Sequence, residues 1–83
     1  MNMDLLSDIE TLGQNIRKAR KQRGLLQSQL AELASVRRQV VSEIERGTYK
    51  GSLRRVISIL RAMGLRLAIE PVRFPTLDEL SDE

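Results

Sequence analysis

Residues 24–47 read GLLQSQLAELASVRRQVVSEIERG, and their apolar spacing predicts two short helices meeting across a tight turn. Leu30, Ala31 and Ala34 give the first, from about Gln27 to Ala34, an inward face. Val36, Val41 and Ile44 do the same for the second, from about Arg38 to Arg46, at helical spacing. Ser35-Val36 is the turn, and Ala31 is the small side chain that lets two helices cross closely over so short a connection. Packed this way, the second helix turns Arg37, Arg38, Gln39, Ser42 and Glu43 outward. Arginine and glutamine on an exposed helix face are the side chains suited to guanine and adenine edges in a DNA major groove.

The segment resembles, without a gap, the helix-turn-helix of the Cro/lambda-repressor (Xre) family. Gln27, Leu30-Ala31, Val36 and Ile44-Glu45-Arg46-Gly47 carry the likeness. Leu12-Gly13, Ile16 and Arg20 extend it upstream, and Ser52-Leu53 and Met63-Gly64 downstream, so that about Leu12 to Leu65 is covered. Two positions depart from the family pattern. Leu26 stands where a Ser or Thr cap is usual, at a cost of about 1 kcal/mol, and Ser35 where the turn usually has glycine. Ser35 serves either by avoiding positive φ or by bearing that strain. Leu33 is apolar where the family shows a solvent-facing polar residue, which favours an extra contact there.

The resemblance implies a mainly α fold: a four-helix lambda-repressor-like domain whose third helix reads DNA. Arg38 matches the first base-reading position, Arg37 the cap position, suited to a phosphate, and Gln27 a phosphate clamp. Glu45 matches a structural residue paired with the one matching Arg20. From side-chain chemistry, Gln39 is suited to adenine and Ser42 to donating or accepting one turn later. Arg46, Thr48 and Lys50 cluster after the recognition helix, and Ser52 opens the next, a set that can track the phosphate backbone. Val40 is open to a thymine methyl or to the core, and Glu43 to a cytosine amino group or to solvent.

Charge is segregated along the 83 residues. Residues 1–11 hold three acids and no base, 12–73 hold all 14 bases against four acids, and 74–83 hold four acids and no base. A basic body between acidic ends suits a polyanionic partner. For Arg17, Lys18, Lys21 and Arg23 in the first helix, a merely solvated face is an equal reading. Cysteine and histidine are absent, which removes thiol chemistry, the commonest general base and the commonest metal ligand. No cofactor, metal or catalytic residue is expected, and the Gly47–Gly51 loop lacks the Gly-Lys-Ser/Thr of a phosphate-binding loop. With no long apolar run or signal peptide, a cytoplasmic, nucleoid-associated location away from the membrane is expected.

Thr11 with Gln14 fits a capping box, predicting a first helix from there to about Arg23, with Leu12, Ile16 and Ala19 inward and Gly24 as C-cap. Ser52 is expected to cap a fourth helix running to about Met63, striped by Leu53, Val56, Ile57, Leu60 and Met63 and widened by Ile59. Residues 65–72 then alternate, with Leu65, Leu67 and Ile69 apolar, the period of a half-buried strand. A lone strand leaves its backbone unpaired. Met3–Leu6 is a weak partner within the chain; a second copy offers an identical strand across a two-fold axis. The expected organisation is therefore an acidic segment (1–10), a DNA-binding domain with a C-terminal dimerisation strand (11–73), and an acidic tail (74–83). Leu77 and Leu80 leave that tail open to folding on a protein, beside a simply solubilising role.

A Cro-type domain followed by such a strand resembles the HipB-type antitoxins. That narrower likeness implies a homodimer on a double-stranded DNA operator, repression of its own operon, and a HipA-type Ser/Thr kinase toxin as partner. A free-standing or phage-type regulator is the alternative within DNA binding. A toxin-neutralising interaction module with weak DNA binding is the rival from another class.

Overall fold

The computed structural model describes residues 5–69. Among the described residues four helices follow one another: α1 (Leu5–Gln22), α2 (Gln27–Ala34), α3 (Arg38–Arg46) and α4 (Leu53–Ala62). α2 and α3 have the bounds their apolar spacing predicts. α1 does not, because it begins at Leu5 and runs through Thr11 without a break. Thr11 is therefore an exposed mid-helix residue and not a cap. The apolar stripe of Leu12 and Ile16 extends one turn back to Ile9, which lines a groove with Leu12, Ile44, Tyr49 and Val56. Asp8 in the first turn also complements the positive end of the helix.

All four helices end in the same way. Gly24, Ser35, Gly47 and Gly64 have positive φ. After each helix a pair of backbone bonds closes the end: Gly24 N–H to Lys21 O and Leu25 N–H to Arg20 O; Ser35 to Glu32 and Val36 to Ala31; Gly47 to Ile44 and Thr48 to Glu43; Gly64 to Arg61 and Leu65 to Leu60. These are Schellman closures, which satisfy carbonyls that a helix end leaves open. Ser35 bears its strain, at φ 57°, because the turn requires that conformation whatever the residue. Ser58 Oγ adds a bond to Ala34 O at 3.2 Å, covering a further carbonyl of α2.

Ile16, Leu30, Val41 and Ile59 form the fully buried centre, surrounded by Ala19, Ala31, Ala34, Ile44, Val56, Leu60 and Met63. Gly13 is where α1 crosses α3: a Cβ there would collide with the carbonyl oxygens of Ile44 and Glu45. Two expectations for α4 are corrected. Leu53 is 59% exposed, since it precedes the stripe of Val56, Ile59, Leu60 and Met63. Ile59, expected only to widen the stripe, is 0% exposed and sits at the centre of the protomer's own core. Ser52 occupies the N-cap of α4 with extended backbone, but its hydroxyl makes no capping bond.

Residues 65–69 carry no strand. Leu65 N–H is used in closing α4, Leu65 and Leu67 are partly exposed, and Ile69 is 98% exposed. A strand exists only as one side of a ladder, and Leu5 and Leu6, half of the weak intrachain candidate, are helical. Residues 70–72 of the expected strand, like the tail from 74, lie outside the described residues.

Candidate nucleic-acid interface

α3 buries Val41, Ile44 and Glu45 and thereby sets which of its side chains face out. Arg37, Arg38, Gln39 and Arg46 are exposed, and Ser42 and Glu43 are half-buried at the edge of that face. Val40 is packed against the core, so of its two readings the structure shows core packing. Gln39 Nε2 donates to Glu43 Oε2, one turn on, at 3.3 Å.

Beneath this surface lies a polar network. Arg20 Nε donates to Glu45 Oε2 at 2.7 Å and Arg20 Nη2 to Glu45 Oε1 at 3.1 Å, a two-point pairing that suits the guanidinium fork. Arg20 is 8% and Glu45 9% exposed. Arg20 Nη1 reaches Leu25 O at 2.8 Å, and Gln27 Nε2 adds a third donor to the carboxylate, at 3.0 Å from Oε1. Among the described residues no buried side-chain polar atom is left without a partner. The network fastens α1, the start of α2 and the end of α3 together. Gln27, expected only as a phosphate clamp, is thus also part of this fastening.

α3 is flanked by two clefts. Arg20, Leu26, Gln27, Ser28 and Arg38 line one, on the α2 side. Ser35, Val36, Arg37, Gln39, Val40, Glu43 and Arg55 line the other, which reaches α4. Leu26 opens α2 without a capping oxygen, and Gln29 compensates by accepting from the Leu26 N–H through Oε1 at 2.8 Å. In the loop after α3, Thr48 Oγ1 reaches Glu43 O at 3.4 Å and Tyr49 OH reaches Ser52 O at 3.0 Å. Gly51 lies against the Tyr49 ring, in space a Cβ would occupy. Arg46, Thr48, Lys50 and Ser52 are all exposed on this rim.

The basic face of α1 divides. Arg17, Lys18 and Lys21 are exposed, whereas Arg23 donates to Ala19 O at 2.8 Å and to Met63 O at 3.0 Å. Arg23 thus ties the end of α1 to the end of α4. Two arginines at the start of α4, Arg54 and Arg55, escape a reading that scans only the motif. The signal that could have found them is a helix whose first turn holds two cations and no acid.

The Helix-turn-helix family profile matches residues 16–69, taking in α2, α3, α4 and the C-terminal part of α1. The chain belongs to the helix-turn-helix family. Its relatives include the immunity repressor protein of Bacillus phage phi105, 40% identical over 58 residues, covering 70% of this chain and 40% of that one. The chain thus spans well under half of that repressor's length. Among solved structures, the restriction-modification controller protein C.AhdI from Aeromonas hydrophila superposes with a TM-score of 0.67 at 32% identity, over 72% of this chain and 91% of that one. The clp gene regulator ClgR from Corynebacterium glutamicum gives 0.66 at 33% identity, over 77% and 80%.

Proposed function

We propose that this helix-turn-helix protein is a sequence-specific DNA-binding transcriptional repressor that acts as a homodimer. The observation that carries the reading is α3, whose apolar side is consumed by the core while Arg38, Gln39 and Ser42 remain on the outward side between two basic clefts. Arg38 grips guanine O6 and N7 through its planar fork, Gln39 pairs with adenine, and Ser42 meets a third base edge. Gln27, Arg37, Arg46, Thr48, Lys50 and Ser52 hold phosphates, which fixes orientation without reading sequence. The names of the relatives, an immunity repressor, a controller protein and a gene regulator, support a regulatory role.

Dimerisation through residues 65–72 completes the reading. Leu65, Leu67 and Ile69 present alternating apolar side chains to solvent, and a second copy would supply the missing ladder. Two recognition helices related by a two-fold axis would meet half-sites about one DNA turn apart. The test is selection of binding duplexes from a random library, followed by quantitative titration. Arg38→Ala and Gln39→Ala should each cost about 1–3 kcal/mol on the selected site and relax preference at one base position. Equal losses on selected and scrambled duplexes would refute base reading by these residues. Sedimentation at micromolar concentration checks the dimer, and a monomer that binds its site tightly would refute it.

A HipB-type antitoxin is the finer form of the same reading. It is supported by the alternation at 65–69 alone, whereas the names of the relatives are those of a phage repressor and of regulators, so the free-standing or phage-type regulator has the broader support. Co-purification of a HipA-type kinase with the chain would favour the antitoxin; a chain that represses its own promoter with no such partner would favour the regulator.

A further inference from the structure

We propose that Arg55 holds a backbone phosphate of the DNA strand on the α4 side of α3, across the groove from the strand that Gln27 faces; this rests on the DNA reading above. A helix in a major groove about 12 Å wide has a phosphate backbone on each side. α3 has a cleft on each side: Arg38 lines the one that contains Gln27 and Ser28, while Gln39 and Glu43 line the one that contains Arg55. The first is served by the start of α2. The second has Arg37 and Arg55, two guanidiniums against the single carboxylate of Glu43, which already accepts from Gln39.

The placement of Arg55 is a second, separate observation. A helix N-terminus carries about half a positive charge and favours acids, as α1 shows with Asp8. α4 instead opens Leu53-Arg54-Arg55 with no acid in its first turn. Among the described residues the ion pair is Arg20–Glu45, so neither Arg54 nor Arg55 is paired with a described carboxylate. Such an arrangement is unfavourable in the free protein and favourable once a phosphate sits between Arg55 and Arg37. The guanidinium can engage phosphate oxygens at two points, and the contact is indifferent to base sequence. Arg55 is therefore a positioning residue that completes a clamp on both edges of the groove.

The experiment uses the full chain, a duplex selected from a random library, and a scrambled duplex of equal length, titrated from about 50 to 200 mM salt. Arg55→Gln should weaken binding to both duplexes alike and flatten the plot of log affinity against log salt by about 0.9. The deficit at about 50 mM should then shrink about 3.5-fold by 200 mM. Arg55→Lys should restore the slope. Arg54→Gln makes the same charge change one residue away but outside the cleft, and should leave the slope close to wild type. Melting curves confirm that the variants are folded, as the exposure of both arginines leads one to expect. An Arg55→Gln slope equal to wild type overturns the assignment alone. Equal flattening by Arg54→Gln also overturns it, reducing the effect to net charge. A wild-type chain that binds no duplex overturns the DNA reading and this assignment together.

Discussion

Replacing Glu45 by alanine should come close to unfolding this protein. The carboxylate receives Arg20 Nε at 2.7 Å, Arg20 Nη2 at 3.1 Å and Gln27 Nε2 at 3.0 Å, and both charged partners are at most 9% exposed. Without Glu45 the Arg20 guanidinium stays buried with only Leu25 O as a partner. Breaking a buried pair in this way costs about 3–5 kcal/mol. A domain of this length has a total stability of roughly 4–12 kcal/mol, so the loss is a large fraction of the whole. Gln27 adds little to the cost, because it is half-buried and its amide can turn to water. Removing both charges is a different perturbation: Arg20→Met with Glu45→Leu strands nothing, and should lie within about 1 kcal/mol of wild type or above it. Urea titration followed by helical circular dichroism measures all of these. With a slope near 1 kcal/mol per molar, Glu45→Ala should move the midpoint down by about 3 M or leave no folded baseline. A loss below about 1 kcal/mol, or single losses that add in a cycle with Arg20→Ala, would refute the argument, since interacting residues do not add.

Three further outcomes are expected from the backbone. Ser35→Gly should raise stability by roughly 1 kcal/mol in the same urea assay, since φ of 57° is strained for serine and free for glycine. Leu26→Ser should add about 1 kcal/mol by supplying the oxygen that, with Gln29 already accepting from the Leu26 N–H, completes a capping box; an unchanged midpoint would show that the extended N-cap does not aim a hydroxyl at α2. Gly13→Ala should lower stability by about 1–3 kcal/mol, because the added methyl meets the Ile44 and Glu45 carbonyls, and a thermal midpoint equal to wild type would mean that α1 can slide away from α3.

How far the sequence could be read follows from which forces are local. The cores of α2 and α3, and the glycines that end α1, α3 and α4, depend on spacing and on backbone φ, both visible in residue order. The start of α1 was misplaced because Thr11-x-x-Gln14 offers a cap that burial of Ile9 overrides; a capping oxygen is worth less than a turn that packs. Ile59 and Leu53 exchanged roles on α4 because periodicity orders a stripe but does not say which neighbours cover it. Arg20 and Glu45 were legible only through the family resemblance, being 25 residues apart. Gln27 as a member of their network, and Arg55 as a neighbour of Gln39, depend on tertiary geometry that no spacing rule encodes. The strand at 65–72 is the hardest case, since its existence depends on a partner and not on the chain alone.

On the proposed DNA reading, the two glutamines assigned to DNA are each held by a glutamate, and the difference between the holds would bear on selectivity. Gln27 is fixed from below by buried Glu45, a bond that binding need not break. Its side chain is already ordered, so a phosphate contact through it escapes most of the 0.5–1.5 kcal/mol or so that immobilising a flexible side chain takes. Gln39 is held by Glu43 at the surface, where its amide must be drawn away to meet an adenine squarely. The correct base compensates that exchange with two hydrogen bonds; a wrong base leaves both the amide and the carboxylate short of a partner. A frame that is stiff where it would touch phosphate and exchangeable where it would touch bases makes mismatches expensive without making every encounter tight.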